Sequence, residues 1–310
     1  MKLPLALLVT IAIFHGTALS HRSPNPPPRD DSADSSLLVT TSWLAKHLSD
    51  ADLILLHVGS SGRQYKKGHI PGARYVWPGW LSQSNSDLTL ELPSALQADS
   101  VLKNLGVSVP KHLVLYYERG NITQATRVLY TLEYLGLGGR ISLLNGGFDL
   151  WKAEGRLLSV ENPAFPEGKY RAMLHPEVVV DAQWVQQHLQ DRATTIVDAR
   201  SAQFYEGRDG GMPRPGHIPG AVNIPFSSVI DSTNRLKSLS ALRSLFDSAG
   251  VRPGSCVVTY CHIGQQASLL YFVAKLLGYD ARLYDGSFED WSSREDLPLT
   301  PPGAAPDRGK

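Results

Sequence analysis

The sequence predicts an α/β chain built from two tandem domains, each a mostly parallel sheet with helices on both faces. Three observations lead there. Short β-branched and aromatic runs alternate with apolar helical runs such as residues 240–246 and 267–277, the alternation expected of strands joined by crossover helices. Five landmarks occur twice in the same order. A cysteine, Cys261, stands where the run Val257-Val258-Thr259-Tyr260 gives way to a helix ended by Gly278.

The chain has 310 residues, 42% apolar and 19% charged, with a formal net charge of +1. That is enough for two ordinary globular domains, and the charge balance gives no reason to expect nucleic acid as a partner. Residues 1–20 read as a cleaved signal peptide: Lys2 supplies the positive start, residues 3–14 are mostly apolar, and Ala18-Leu19-Ser20 offers small residues for cleavage. The alternative is a membrane anchor, but His15, Gly16 and Thr17 interrupt the run before the ~20 apolar residues that a span requires. The mature protein is therefore expected to be exported, periplasmic or secreted, without stable membrane insertion. Residues 21–36, rich in Pro, Asp and Ser, read as a flexible leader.

The repeat organises the rest. Thr40-Thr41-Ser42-Trp43-Leu44 matches Asp181-Ala182-Gln183-Trp184-Val185, and the strand at 53–59 matches that at 195–200. Gly68-His69-Ile70-Pro71-Gly72-Ala73 recurs as Gly216-His217-Ile218-Pro219-Gly220-Ala221, and residues 113–117 parallel 256–260. Asn145-Gly146-Gly147-Phe148-Asp149-Leu150-Trp151 returns as Asp285-Gly286-Ser287-Phe288-Glu289-Asp290-Trp291. These matches bound a first domain at 37–153, a linker at 154–176 marked by Pro163, Pro166 and Gly168, a second domain at 177–298 and a flexible tail at 299–310. An insertion at 208–214 distinguishes the second copy.

Ligands of such sheets bind beyond the carboxyl ends of the strands, and Cys261 is at one. Helix-start amides favour a thiolate there, but the macrodipole supplies only about 0.3–1 kcal/mol against ~1.4 for one pKa unit. Several loop amides must therefore converge on the sulfur. A disulfide to Cys256 is excluded: five extended residues place the Cα atoms ~16 Å apart, beyond the ~7 Å limit. Cys261 is expected to be a free, accessible thiol, and Cys256 an inert packing residue.

The paired Gly-His-Ile-Pro-Gly-Ala turns, the Asp-Gly-Ser-Phe-Glu-Asp-Trp box and the Tyr-Cys-x-x-Gly-x-x-Ala loop resemble the tandem-domain rhodanese family of sulfurtransferases, the thiosulfate and 3-mercaptopyruvate sulfurtransferase type. The resemblance implies an inactive first domain and a second whose Cys261 carries a persulfide. The first-half loop Tyr117-Glu118-Arg119-Gly120-Asn121 then puts Glu118 or Arg119 opposite the cysteine, depending on one gap.

The expected chemistry is a two-step transfer: Cys261 takes the outer sulfur of a donor, and an external nucleophile removes it. Amides from His262, Ile263, Gly264, Gln265, Gln266 and Ala267 would hold the charge, with no metal or organic cofactor. His262 either supplies positive charge or faces outward, and Gln265 and Gln266 either bind donor oxygens or cap the helix. Arg200 resembles a family arginine near the loop, with bracing of the domain as its alternative role; Arg208 and Arg214 are further donor-binding candidates. Phe204 replaces a family arginine, and His57 replaces the acidic companion of the first turn histidine. His217 reads as structural, His69 as either structural or lining the cleft. Ala267 stands where a related phosphatase loop needs arginine, which disfavours that chemistry. Thiosulfate is the expected donor, because His262 can be cationic and the mercaptopyruvate-type Gly-Ser-Gly run is absent; 3-mercaptopyruvate is the alternative. The acceptor is cyanide, a small thiol or a partner protein, and a sulfur carrier without turnover is the non-enzymatic alternative.

Overall fold

The computed structural model describes residues 36–109 and 111–303. The expected signal peptide, all of the leader but Ser36, and the tail from 304 onward lie outside the described residues. Ten elements make the first half: β1 (Leu38–Val39), α1 (Thr41–His47), β2 (Leu53–Val58), α2 (Gly62–Lys67), β3 (Arg74–Val76), α3 (Ala95–Asn104), β4 (His112–Tyr117), α4 (Ile122–Leu132), β5 (Ile141–Leu144) and α5 (Gly147–Ala153). The second half repeats them as β6 (Val179–Val180), α6 (Ala182–Gln187), β7 (Thr194–Asp198), α7 (Ala202–Tyr205), β8 (Val222–Asn223), α8 (Leu239–Ser248), β9 (Cys256–Tyr260), α9 (Gln265–Leu276), β10 (Asp280–Tyr284) and α10 (Ser287–Ser293).

Each half holds a five-stranded parallel sheet, in the orders β1-β5-β4-β2-β3 and β6-β10-β9-β7-β8. Because strand side chains alternate, β4 sends Leu113, Leu115 and Tyr117 to one face and Val114 and Tyr116 to the other. In β9, Val257 and then Cys261 face the side of α8 and α9, while Val258 and Tyr260 face α6 and α10. Helices therefore cover both faces of each sheet, as the sequence predicts.

The two halves share one core. Helices α4 and α9 pack together and join the inner faces of both sheets in a single apolar cluster. Thr126 Oγ1 meets Ser268 Oγ at 2.9 Å, and Tyr130 sets its ring edge-on to Tyr271 at 5.1 Å between centroids. Residues 154–176 pack back on the first half: Ser159 pairs with His69, and buried Tyr170 donates to the Leu135 carbonyl at 2.8 Å. The second unit also runs past the expected boundary at 298. Thr300 pairs with His217 through both backbone groups, at 3.2 and 3.0 Å, so residues 299 and 300 belong to the packed turn and not to a flexible tail.

No helix among the described residues is long and apolar enough to cross a membrane. Trp291 is fully buried, with Nε1 donating to the Pro298 carbonyl at 2.8 Å. Trp291→Ala is expected to cost about 3–5 kcal/mol, read as a lowered urea midpoint.

Candidate active site

Cys261 follows the central strand β9, and α9 begins four residues later. Between them, Gly264 takes φ +79°, which glycine adopts without strain and which lets the chain reverse into the helix. That reversal turns the amides of Ala267, Ile263 and Gln266 onto the Cys261 sulfur, the convergence that the sequence argument requires. The opposite wall is the 285–288 turn. The Ser287 hydroxyl accepts from Cys261 N–H at 3.3 Å, and Phe288 N–H donates to the Cys261 carbonyl at 3.0 Å. Ser287 has φ +51°, a conformation costly for a residue with a Cβ. The same turn in the first half has glycine, Gly147, at this place.

The walls leave the thiol 1% exposed, so the expectation of an accessible sulfhydryl is corrected. Burial pushes its pKa up from the ordinary cysteine value, and the three amides only partly offset this. Cys256 is also free; burial first, then Asp280, pushes it up to about 12, leaving it inert near neutral pH.

The arginines read as donor-binding candidates are committed elsewhere. Arg200 is 1% exposed. Its Nη2 donates to Asp198 Oδ2 at 2.6 Å and to the Gly216 carbonyl at 2.8 Å, and its guanidinium lies 3.9 Å from the Phe288 ring centroid. These contacts fit its alternative role of bracing the domain. Arg214 spends its donors on the carbonyls of Ser292, Leu297, Trp291 and Arg294. Arg208 is exposed and paired with Glu206 at 2.5 Å. His262 is half-buried, edge-on to Phe204 at 4.5 Å. Burial first, and then Arg200, lowers its pKa below the ordinary value of 6.5, so the ring is neutral at pH 7. That direction runs against the cationic His262 on which the choice of donor leans.

Gln265 reaches across the halves, Nε2 donating to Thr123 Oγ1 at 3.2 Å. It lines a cleft of about 430 Å³ with Gln124, Ser60, Trp77, Ser82 and Gln83 from the first half, and no charged side chain lines it. Gln266 keeps a buried Oε1 without a hydrogen-bond partner.

The first half shows the same scaffold without a cysteine at the equivalent place. The register pairs His57 with Tyr116 as Asp198 pairs with Tyr260, and the hydroxyls of both tyrosines accept from turn amides, Ile70 and Ile218, at 3.2 Å. Tyr117 is thus the counterpart of Cys261, not Glu118 or Arg119. His57 takes the place of Asp198: its Nδ1 meets Tyr116 OH at 3.0 Å and its Nε2 lies 3.2 Å from Glu118 Oε1. Gly59 takes the place of Arg200. Both turn histidines are structural, His69 meeting the Tyr65 and Glu161 carbonyls at 2.8 and 2.9 Å and His217 the Tyr205 carbonyl at 2.8 Å.

Residues 40–154 and 181–294 both match the model of the Rhodanese-like domain. The chain belongs to the rhodanese family. Rhodanese relatives across its length include the sulfur carrier protein TtuD of Thermus thermophilus, 31% identical over 283 residues, covering 86% of this chain and 97% of the relative. The 3-mercaptopyruvate sulfurtransferase of Escherichia coli is 31% identical over 277 residues, with 85% and 97% covered. The thiosulfate sulfurtransferase of Azotobacter vinelandii is 33% identical over 271 residues, with 87% and 99% covered. Among solved structures, SseA from Escherichia coli superposes with TM-score 0.71 at 30% identity, covering 81% of this chain and 98% of that one. Wild-type EanB, at 22% identity and TM-score 0.77 over 87% and 70% of the two chains, shares the fold.

Two residues of this rhodanese site escape sequence reading. Ser287 is signalled only by standing where the first copy has glycine. Arg127 is the lone charge on the apolar helix α4, and it lies 2% exposed against Asp285. Near this pair Glu91 has a buried Oε1 without a partner; burial first, and then Asp285, raises its pKa from 4.5 to about 7.

Two outcomes follow from these placements. Arg200→Gln leaves the Asp198 carboxylate uncompensated and is expected to cost about 3–5 kcal/mol, whereas Arg208→Ala stays within about 0.5 kcal/mol; urea midpoints separate them. A carboxyl whose pKa is raised in the fold contributes stability that is complete below its unfolded value and is lost as pH rises. Wild type should therefore lose about 1–3 kcal/mol relative to Glu91→Gln between pH 4.5 and about 7, as read by denaturation at several pH values.

Proposed function

We propose that the protein is a thiosulfate sulfurtransferase that carries sulfane sulfur as a persulfide on Cys261 and passes it to cyanide or a thiol. The observation that carries this reading is the set of three main-chain amides aimed at one sulfur at the mouth of a parallel sheet. In the first half-reaction the Cys261 thiolate attacks the outer sulfur of thiosulfate. The S–S bond of the donor breaks, its electron pair leaves with sulfite, and a Cys261 persulfide forms. The terminal sulfur takes over the negative charge, within reach of the amides of Ile263, Gln266 and Ala267. The acceptor then attacks that sulfur, and the bond electrons return to Cys261.

With His262 neutral and Arg200, Arg208 and Arg214 paired, recognition of donor oxygens falls to uncharged groups, the side-chain amides of Gln124 and Gln265 and the hydroxyl of Ser60 in the cleft. Thiosulfate is preferred as donor because no Gly-Ser-Gly run follows Cys261. Use of 3-mercaptopyruvate, or a carrier role toward a protein acceptor, is the second reading, supported by the relatives of those names. We also propose that residues 1–20 direct export to the periplasm or beyond, on the charge and apolar pattern of that segment.

Steady-state assays with each donor and cyanide decide among these. Thiosulfate should support multiple turnovers with kcat/KM at least about tenfold above that for 3-mercaptopyruvate, a difference of ~1.4 kcal/mol in transition-state stabilisation, and Cys261→Ala should abolish both. The reverse ratio assigns the mercaptopyruvate activity. A single released sulfur per chain with either donor assigns the carrier.

A further inference from the structure

The half that lacks a cysteine contributes Arg127 to the loop that has one. Arg127 lies on α4, and its Nη1 donates to Asp285 Oδ1 at 2.5 Å. Its Nη2 donates to the Leu90 carbonyl, and the second Asp285 oxygen accepts from Leu92 N–H at 2.9 Å. The guanidinium therefore ties three segments together: α4, the loop at residues 90–92 of the first half, and the β10–α10 turn of the second. It also fills the space beside Gly264. A Cβ built on that glycine would lie 2.7 Å from Arg127 Nη1 and 3.1 Å from the Asp285 carbonyl.

Gly264 is the reversal that sets where the amides of Ile263, Gln266 and Ala267 point, and Asp285 begins the turn whose Ser287 and Phe288 hold the Cys261 backbone. One buried cation thus bears on both walls of the sulfur pocket. An arginine fork suits the task because it reaches a carboxylate and a carbonyl from one rigid plane. Lysine, with a single ammonium, holds one of them well.

We propose that Arg127 is a positioning residue for the Cys261 loop: it braces Gly264 and Asp285 across the halves and so keeps the three amides on the sulfur. This rests on Cys261 being the reacting group, and it adds that the cysteine-free half is required for the pocket's geometry, beyond forming one side of the cleft. Removing Arg127 frees the Gly264 peptide units to rotate away, which lowers the rate of persulfide formation and makes the thiol harder to ionise. Substrate contacts in the cleft are untouched, so donor KM should hardly move.

The test compares Arg127→Gln with Thr126→Val in the full chain. Thr126 precedes Arg127 on the same buried helix, and its hydroxyl bonds Ser268 instead of Asp285 or Leu90, so its removal costs an interface hydrogen bond of a different kind. Alkylation of Cys261 is followed as a function of pH, alongside melting temperature and steady-state kinetics. Arg127→Gln should move the alkylation midpoint up by roughly one pH unit and lower kcat about tenfold, with KM for the donor changed less than about twofold. Thr126→Val should lower the melting temperature and leave the midpoint in place. Equal midpoints for wild type and Arg127→Gln, or equal displacement by Thr126→Val, overturn the proposal. If Arg127→Gln does not fold, Arg127→Lys serves: a smaller upward shift supports the brace, and an unmoved midpoint in a folded Arg127→Lys rejects it. Wild type that alkylates at Cys261 but never turns over donor contradicts the sulfurtransferase reading, independently of these arms.

Discussion

Burial and main-chain hydrogen bonding pull the Cys261 sulfur in opposite directions, and the rest of the molecule is arranged around that opposition. Closing Ser287, Phe288 and the start of α9 round the thiol raises its pKa, while the amides of Ala267, Ile263 and Gln266 lower it. The pocket is thus both buried and lined by main-chain dipoles. Its shape depends on two backbone conformations with positive φ, Gly264 and Ser287. Neither stands alone: Gly264 abuts Arg127, and Ser287 is tied to the Tyr284 carbonyl at 2.8 Å as well as to Cys261.

Duplication and divergence are visible residue by residue. Both halves keep the tyrosine that binds the Gly-His-Ile-Pro-Gly-Ala turn, the histidine of that turn and the terminal tryptophan with its bonded indole. What differs is the polar set at the sheet end. The Asp198 and Arg200 ion pair of the second half becomes His57 and Gly59 in the first, with Glu118 placed beside His57. Cys261 becomes Tyr117, whose hydroxyl crosses to the Asn234 carbonyl of the other half at 3.0 Å. Side chains of the first half line the cleft and reach across to the second half through Tyr117 and Arg127.

Much of this was legible in the chain. Short apolar strand runs alternating with helical runs, together with the repeated landmarks, suffice to predict parallel sheets and tandem units, because strands joined by crossover helices are buried on both faces. The loop amides were also foreseeable, since a strand-to-helix turn with a glycine has few ways to close. Side-chain commitments were not. Arg200 looks like an anion binder in sequence, and only the fold shows its donors taken by Asp198 and Gly216. His262 looks titratable near pH 7 until Phe204 and Arg200 are seen beside it. Tyr117 was misaligned because the two loops differ in length by one residue, and Arg127 was silent because its partner Asp285 lies 158 positions away.

The central claim is that the pocket exists to hold a second sulfur on Cys261, and weighing the protein tests it most directly. Intact mass spectrometry of the purified chain, after thiosulfate and again after cyanide, should show the gain of one sulfur atom at Cys261 and then its loss. A chain whose mass at Cys261 never changes with donor, while the thiol stays free and open to alkylation, would contradict the account.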